Sequence, residues 1–105
     1  MAQINALIIN EINQFLSKTI EEGINIISAY LFGSFAKGNE NNWSDIDIAI
    51  ISSDISDDRI KERTRLMLIA ADIDHRLEPV PFRPEDFVDE NPLVWEIKKY
   101  GIQLL

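Results

Sequence analysis

Residues 31–50 read LFGSFAKGNENNWSDIDIAI and join two strand-like runs through a polar loop. The loop begins at Gly33-Ser34, and the second run opens on two aspartates, Asp45 and Asp47, separated by one residue. Aspartate is disfavoured in strands, and two like charges repel each other. The pair therefore indicates either a solvated strand edge or two carboxylates that are held together for a cation.

The sequence around this loop alternates helical with extended patterns. Apolar residues at three- and four-residue steps predict an amphipathic helix over residues 4–20, which ends at Gly23. Residues 24–32 are rich in β-branched and aromatic residues, and residues 45–52 alternate acidic with apolar before becoming wholly apolar. Both segments are typical of strands, and the second has the pattern of a strand that enters a core from a wet edge.

The second half of the chain predicts two further helices and a strand. Residues 53–74 begin with Ser and Asp caps, as a long helix does. Residues 75–82 predict a strand whose prolines shorten it or confine it to a sheet edge. A helix follows from its N-cap Asn91 to Gly101, and the last residues add a short strand. We expect the buried stripe of the long helix to contain Ile60, Thr64, Met67, Leu68 and Ala71.

Length and composition predict one globular domain over residues 1–105. A chain of 105 residues has room for a single modest core, and its 46% hydrophobic content is typical of a folded protein. No internal repeat or linker interrupts it. Together with the order of helices and strands, this predicts the α/β or α+β class, with a small mixed sheet flanked by helices.

Charge and cysteine content exclude several classes of function. The 18 acidic and 10 basic residues give a net charge of −8, which opposes non-specific binding to nucleic acid or to anionic membranes. The absence of cysteine excludes disulfides, thiolate metal sites and cysteine nucleophiles. The sequence has neither a signal-peptide pattern nor an apolar run near the ~20 residues that cross a bilayer. We therefore expect a cytoplasmic protein with no membrane partner and no direct nucleic-acid binding.

The loop offers groups that suit a phosphate. Glycine at position 33 permits a close approach of the backbone, and Ser34 supplies a neutral hydroxyl donor. If a helical turn starts at Ser34, its free N–H groups add to an anion site. Lys37 lies three residues further on, where its ammonium group could neutralise a triphosphate, and Gly38 lets the loop turn sharply.

The aspartate pair suits a metal ion. Asp45 and Asp47 share one face of their strand because side chains alternate with period two. Two such charges at about 4 Å interact by about 4 kcal/mol at an effective dielectric constant near 20. A magnesium ion converts this repulsion into attraction, and Mg²⁺ is usually bound by one or two carboxylates together with substrate phosphates.

The combined pattern resembles the signature of the nucleotidyltransferase superfamily related to DNA polymerase β. That signature is Gly-Ser, ten residues and then Asp-x-Asp, and this chain matches it with Gly33-Ser34, residues 35–44 and Asp45-Ile46-Asp47. The motifs GSFAKG and SDIDIAI are most similar to those of the minimal nucleotidyltransferases, which are single-domain proteins of about this length. The ending NPLVWEIKKYGIQLL extends a weaker resemblance over most of the chain.

The resemblance implies a palm-like mixed sheet and transfer of a nucleoside monophosphate from an NTP. By this analogy Gly33 and Ser34 hold the β- and γ-phosphates of ATP, while Asp45 and Asp47 ligate Mg²⁺. The family also uses a third carboxylate on a later strand, which helps to activate the attacking hydroxyl. We expect Glu78 in this catalytic and metal-binding role because it lies in the strand-like run HRLEPV.

Several alternatives remain open at this stage. Asp74 or Asp72, at the end of a predicted helix where charge is most often solvated, would replace Glu78 if that residue points away. Trp43, beside the aspartates, is expected to pack under the loop, with stacking on a base or a partner as the alternative.

The resemblance also implies a partner. Because little sequence remains outside the core, we expect the acceptor to be another protein. Minimal nucleotidyltransferases are commonly paired with a HEPN-domain RNase toxin, which they neutralise as antitoxins by adding AMP to a tyrosine hydroxyl. The leading hypothesis is therefore a Mg²⁺- and ATP-dependent protein adenylyltransferase. The alternative is a nucleotide-binding, non-catalytic protein that neutralises its partner by forming a complex.

Overall fold

The structure, a computed structural model, describes residues 5–38 and 44–105. Within these residues, four helices and four strands alternate, with one short 3-10 turn at Pro84–Asp86. In chain order they are α1 (Ala6–Glu21), β1 (Ser28–Phe32), α2 (Ser34–Lys37), β2 (Ile46–Ile51), α3 (Arg59–Ala71), β3 (Leu77–Phe82), α4 (Pro92–Tyr100) and β4 (Ile102–Gln103). The part of the loop that contains Trp43 lies outside the described residues, as do residues 1–4.

The strands form one mixed sheet in the order β3-β2-β1-β4. Strand β1 pairs antiparallel with both β2 and β4, whereas β2 pairs parallel with β3. The parallel pair needs a crossover connection, and α3 supplies it. The predicted mixed sheet with flanking helices is therefore confirmed.

The central strand β2 is buried on both faces, which explains its run of apolar residues. On one face Ile46, Ile48 and Ile50 belong to a core with residues of α1 and α3. On the opposite face Ala49 and Ile51 pack with Val94 and Ile97 of α4. Strands covered on both faces are apolar along their length, so the acidic residues at the start of β2 stand out as exceptions.

Strand β3 lies at the edge of the sheet, as its prolines predict. The carbonyl groups of Arg76 and Phe82 accept hydrogen bonds from the N–H groups of Ile46 and Ser52 in or beside β2. The backbone N–H and C=O groups of the even-numbered residues of β3 therefore point toward β2. The backbone of the intervening Pro79 and Pro81 points toward the open edge. The prolines remove no hydrogen bond from the sheet at these positions.

The helix ends follow the sequence signals. Gly23 has a φ of 92° and donates its N–H to Ile20 as α1 ends. Asn91 caps α4 by accepting a hydrogen bond from the N–H of Leu93 at 3.0 Å, and Pro92 occupies the first turn. Within residues 5–38 and 44–105, none of the helices combines the length and the apolar content needed to span a membrane.

The predicted buried stripe of α3 is wrong. Ile60 is 83% exposed, Leu68 is 69% exposed and Met67 is 40% exposed, and Thr64 and Ala71 also lie on the outside. The helix instead buries a second set with the same spacing: Glu62, Leu66, Ile69 and Ala70. Periodicity alone could not decide which of the two sets is buried. Glu62 is buried despite its charge because its carboxylate accepts a hydrogen bond from the N–H of Ser56 at 2.7 Å.

Candidate functional site

The turn after β1 brings Gly33 against Asp47. Phe32, the last residue of β1, is the register partner of Asp47 in β2, so the next residue lies beside the Asp47 side chain. Gly33 has a φ of 73°, a conformation that L side chains rarely adopt. A Cβ atom at this position would also overlap Oδ2 of Asp47. Two independent constraints thus require glycine here.

The segment that follows Gly33 forms a single helical turn. Helix α2 starts at Ser34, as the phosphate interpretation required, and its first N–H groups have no carbonyl partner within the helix. Gly33 accepts a hydrogen bond from the N–H of Lys37 at 3.1 Å, and Gly38 closes the turn with a φ of 78°. The buried side chain of Phe35 anchors the turn in the core.

Asp45, Asp47 and Glu78 lie near one another at one end of the sheet face that α4 covers. Asp45 and Asp47 lie on this face because they alternate with the inward-facing Ile46 and Ile48. Glu78 is the direct register partner of Asp47 across the parallel pair, so its side chain lies on the same face. The structure therefore brings together Gly33, both aspartates and Glu78.

The electrostatics of Asp47 reflect this crowding. The side chain is half-buried, and its burial together with the charges of Asp45 and Glu78 raises its pKa to about 6. Burial is the largest of these causes. It removes the carboxylate from water, which penalises the charged form. An ionised Asp47 is therefore costly at neutral pH unless a cation compensates for it.

Two basic side chains near the site form ion pairs that the sequence did not indicate. The ammonium group of Lys37 forms an ion pair with Glu96 of α4 at 3.0 Å and lies 5.5 Å from the centre of the Tyr100 ring. Arg63 of α3, which the sequence did not single out, donates to Glu78 at 3.1 Å. No local motif indicates these contacts, since they join segments that are brought together only by the fold.

The two alternatives for the third carboxylate are occupied elsewhere. Asp72 pairs with Lys18 of α1 at 3.1 Å. Asp74 pairs with Arg76 at 2.8 Å, and hydrogen bonds from Arg76 hold the pKa of Asp74 well below its ordinary value. The side chain of Asp74 is only 8% exposed, so the expectation of a solvated helix end is wrong for this residue. Among the three candidates, Glu78 alone is in register with Asp47.

The donor set fits a magnesium ion that is shared with a substrate. In the part of the chain that the structure describes, no three acidic or histidine side chains converge into a complete metal site. Carboxylate oxygens are nevertheless the ligands that Mg²⁺ prefers, and Mg²⁺ commonly completes its shell with water and substrate phosphates. Because Gly33 has no side chain, the backbone of the Gly-Ser turn lies against Oδ2 of Asp47.

Comparison with known families identifies the fold and the motif together. Residues 10–105 match the family described as "Polymerase beta, Nucleotidyltransferase". The chain belongs to this family. The nucleotidyltransferase domain thus covers nearly the whole sequence, and the expected fold class is confirmed by the same match.

One curated relative has a related sequence. The chain is 30% identical over 92 residues to the "Putative protein adenylyltransferase MJ1305" of Methanocaldococcus jannaschii. The alignment covers 81% of this chain and 63% of that protein, so the chain spans somewhat less than two thirds of the relative's length.

Solved structures share the fold over almost the entire chain. A chain of a mutant toxin–antitoxin complex, MntA-HpeT, is 29% identical with a TM-score of 0.63, covering 98% of this chain and 73% of that one. A toxin–antitoxin structure with AMP-PNP is 26% identical with a TM-score of 0.60, covering 92% and 72%. A nucleotidyltransferase-like structure from Sulfolobus solfataricus, 18% identical with a TM-score of 0.57 over 98% and 89%, supports the fold alone.

Replacing Gly33 by alanine tests the contact with Asp47. Gly23 also has a positive φ, but a Cβ atom there would meet nothing within 4 Å, so it is a matched control. We expect Gly23→Ala to cost about 1 kcal/mol for the backbone conformation and Gly33→Ala about 1–3 kcal/mol more for the overlap. Urea denaturation measures both, and the Gly33→Ala loss should shrink in an Asp47→Ala background. Equal losses at the two glycines would contradict the contact.

The raised pKa of Asp47 predicts a pH-dependent gain in stability when its charge is removed. Because the pKa is about 6 in the fold and 3.8 in the unfolded chain, ionisation costs stability as pH rises across this interval, and the full cost is present above it. After allowance for solvent screening, Asp47→Asn should raise the free energy of unfolding by about 1 kcal/mol near neutral pH and by little below about pH 4.

Chemical denaturation in EDTA at both pH values measures this gain. Asp57→Asn, which removes an exposed carboxylate just before α3, is the control and should change stability little at either pH. A loss of stability in Asp47→Asn near neutral pH would contradict the electrostatic account.

Proposed function

We propose that this protein transfers AMP from ATP to a hydroxyl group of a partner protein. The observation that carries the proposal is the apposition of Gly33 to Asp47, which joins the Gly-Ser turn to the aspartate pair. Two comparisons support it: the related protein of M. jannaschii is described as an adenylyltransferase, and a related structure was determined with AMP-PNP.

In this proposal the chain binds both the metal ion and the terminal phosphates of a metal–triphosphate complex. The backbone at Gly33 and the N–H and hydroxyl groups of Ser34 bind the terminal phosphates of ATP. Asp45, Asp47 and Glu78 would hold Mg²⁺ beside them. When bound, Mg²⁺ supplies charge stabilisation for the phosphates as pyrophosphate leaves. The ionised form of Asp47 is thereby favoured at neutral pH.

The transfer step uses one carboxylate, that of Glu78, as the proton acceptor. The oxygen of the acceptor hydroxyl forms a bond to the α-phosphorus of ATP while the bond to the bridging oxygen of pyrophosphate breaks. The hydroxyl proton passes to the Glu78 carboxylate, which lies beside Asp47 in the sheet. The products are AMP esterified to the partner and pyrophosphate.

Two side chains change partners when the site is loaded. With ATP and Mg²⁺ bound, Glu78 would exchange its ion pair with Arg63 for the metal, and Lys37 would exchange Glu96 for a phosphate oxygen. Both ion pairs are partly exposed, so each costs little to break.

The proposed partner is a HEPN-domain RNase toxin, for which this protein is the cytoplasmic antitoxin. The related MntA-HpeT structures are toxin–antitoxin complexes, which supports a toxin as the acceptor. The chain has no cysteine, and its net charge of −8 disfavours direct contact with nucleic acid.

A second candidate function is neutralisation by complex formation without transfer. The observation that favours it is the engagement of both Glu78 and Lys37 in ion pairs, with Arg63 and Glu96 respectively. If these pairs persist when nucleotide binds, the site lacks its third carboxylate and its phosphate-neutralising cation. The protein would then bind nucleotide and its partner without catalysing transfer.

An Asp47→Asn variant separates the two functions. The protein is incubated with a purified HEPN-domain RNase toxin, α-labelled ATP and Mg²⁺, and both the label on the toxin and its residual RNase activity are measured. We expect Asp47→Asn to reduce labelling by about a hundredfold or more and to leave the RNase active, because a metal-binding carboxylate is lost.

The matched control is again Asp57→Asn, which should label the toxin at the wild-type rate. Full neutralisation by Asp47→Asn without label would contradict the transferase proposal and support complex formation.

A further inference from the structure

The outer face of α3 presents an apolar stripe that the fold itself leaves uncovered. We define the outer stripe as the set of residues Ile60, Thr64, Met67, Leu68 and Ala71. These positions recur at three- and four-residue steps, so they line up along one side of the helix. Sequence periodicity predicted them to be buried, and a stripe with the spacing of a core face is typical of a helix that packs against something. The opposite face of α3 already packs against the sheet.

Positive charge borders the outer stripe on both sides. Helix α3 contains four of the ten basic residues of the chain, Arg59, Lys61, Arg63 and Arg65, and one acidic residue that is buried. Its net charge is therefore +3 in a chain of net −8. The guanidinium groups of Arg59 and Arg65 donate to the carbonyl oxygens of Pro81 and Glu22, contacts that leave their charge uncompensated.

Two acidic residues at the ends of α3 are engaged in a helix cap and in an ion pair. Asp58 caps the first turn by accepting from the N–H of Lys61, and Asp72 follows the last residue and pairs with Lys18. The surface alongside the stripe is therefore locally basic although the protein is acidic. Such a surface attracts a negatively charged partner and repels another copy of itself.

A cleft continues the outer stripe toward the site. It has a volume of about 230 Å³ and lies between α3 and the edge strand β3, lined by Arg59, Ile60, Arg63, Val80 and Pro81. Ile60 belongs to both the stripe and the cleft. Arg63, on the wall of the cleft, is the residue that donates to Glu78. A side chain inserted here would reach the immediate neighbourhood of the candidate site.

We propose that the outer stripe and this cleft form the docking site for a helix of a partner protein that has acidic residues beside its own apolar stripe. Apolar burial along the stripe would provide the affinity. The flanking arginines and Lys61 would favour a partner helix that has acidic residues beside its apolar stripe. A symmetric dimer through α3 is disfavoured because it would oppose the four basic residues of each copy. An acidic side chain in the cleft would share the guanidinium group of Arg63 with Glu78.

Two synthetic helical peptides test this docking site without nucleotide, so the result does not depend on transferase activity. They have the same leucine spacing, but one has glutamate and the other lysine at the flanking positions. Binding to the isotope-labelled protein is followed by NMR at the methyl groups of Ile60, Met67 and Leu68. We expect the glutamate peptide to bind with shifts at these methyl groups and the lysine peptide to bind at least about tenfold more weakly.

A pair of double variants provides the matched comparison. Ile60→Ser/Leu68→Ser should weaken binding of the glutamate peptide by about tenfold or more, because it removes two apolar anchors. Leu7→Ser/Ile20→Ser removes two exposed apolar residues of α1 and should leave binding within about twofold. All four positions are largely exposed, so both variants should fold, which circular dichroism checks.

Other outcomes would overturn the proposal. Equal binding of the two peptides, or equal weakening by both double variants, would show that α3 has no selective docking site. Binding of phosphatidylserine vesicles in place of the peptides would indicate a membrane surface. Sedimentation of a dimer that Ile60→Ser/Leu68→Ser dissociates would indicate a second copy of this chain.

Discussion

The site depends on the close contact between the backbone at Gly33 and the carboxylate of Asp47. The antiparallel register of β1 and β2 pairs Phe32 with Asp47 and so fixes where the turn after β1 must pass. A residue with a Cβ atom could occupy this position only by displacing the carboxylate or the turn. The Gly-Ser turn is therefore packed against Asp47 of β2, a strand that is buried on both faces.

This arrangement costs the fold stability, and a bound cation would recover it. Asp47 is half-buried beside two further carboxylates, and the raised pKa records the cost of ionising it there. Elsewhere in β2 the residues are apolar and packed on both faces. Local conflict of this kind is expected at functional sites, where stability is sacrificed to hold charged groups in a useful geometry. The ion pair between Arg63 and Glu78 compensates for part of the negative charge.

Much of the architecture could be predicted from local patterns, because the patterns have single physical causes. The alternation in DIDIAIIS predicts a strand that is wet at one end, and the prolines of β3 place it at the edge. The neighbouring positions of Asp47 and Glu78 follow once β2 and β3 are parallel and in register. The Gly-Ser turn and its spacing from the aspartates could be recognised in the sequence, because a glycine directly after a strand and two carboxylates within a strand are both unusual.

The features that sequence missed depend on contacts between distant segments. Helix α3 has two sets of residues with helical spacing, and only the packing decides that Leu66 and Ile69 face the sheet. The ion pair of Lys37 with Glu96 joins residues 59 positions apart, and that of Arg63 with Glu78 depends on how α3 packs beside β3. Asp74 appeared to be a solvated helix end, but Arg76 allows it to be buried. The periodicity of the sequence does not determine which face of α3 is buried or which of these ion pairs form.

The central claim is that the Gly-Ser turn and the aspartate pair form one metal–triphosphate site. A crystal structure with a non-hydrolysable ATP analogue and Mn²⁺, located by anomalous scattering, tests it most directly. The account predicts a Mn²⁺ peak in contact with Asp45 and Asp47, with the terminal phosphates of the analogue at Gly33 and Ser34. A metal bound away from both aspartates, or an analogue whose phosphates lie elsewhere on the chain, would contradict it.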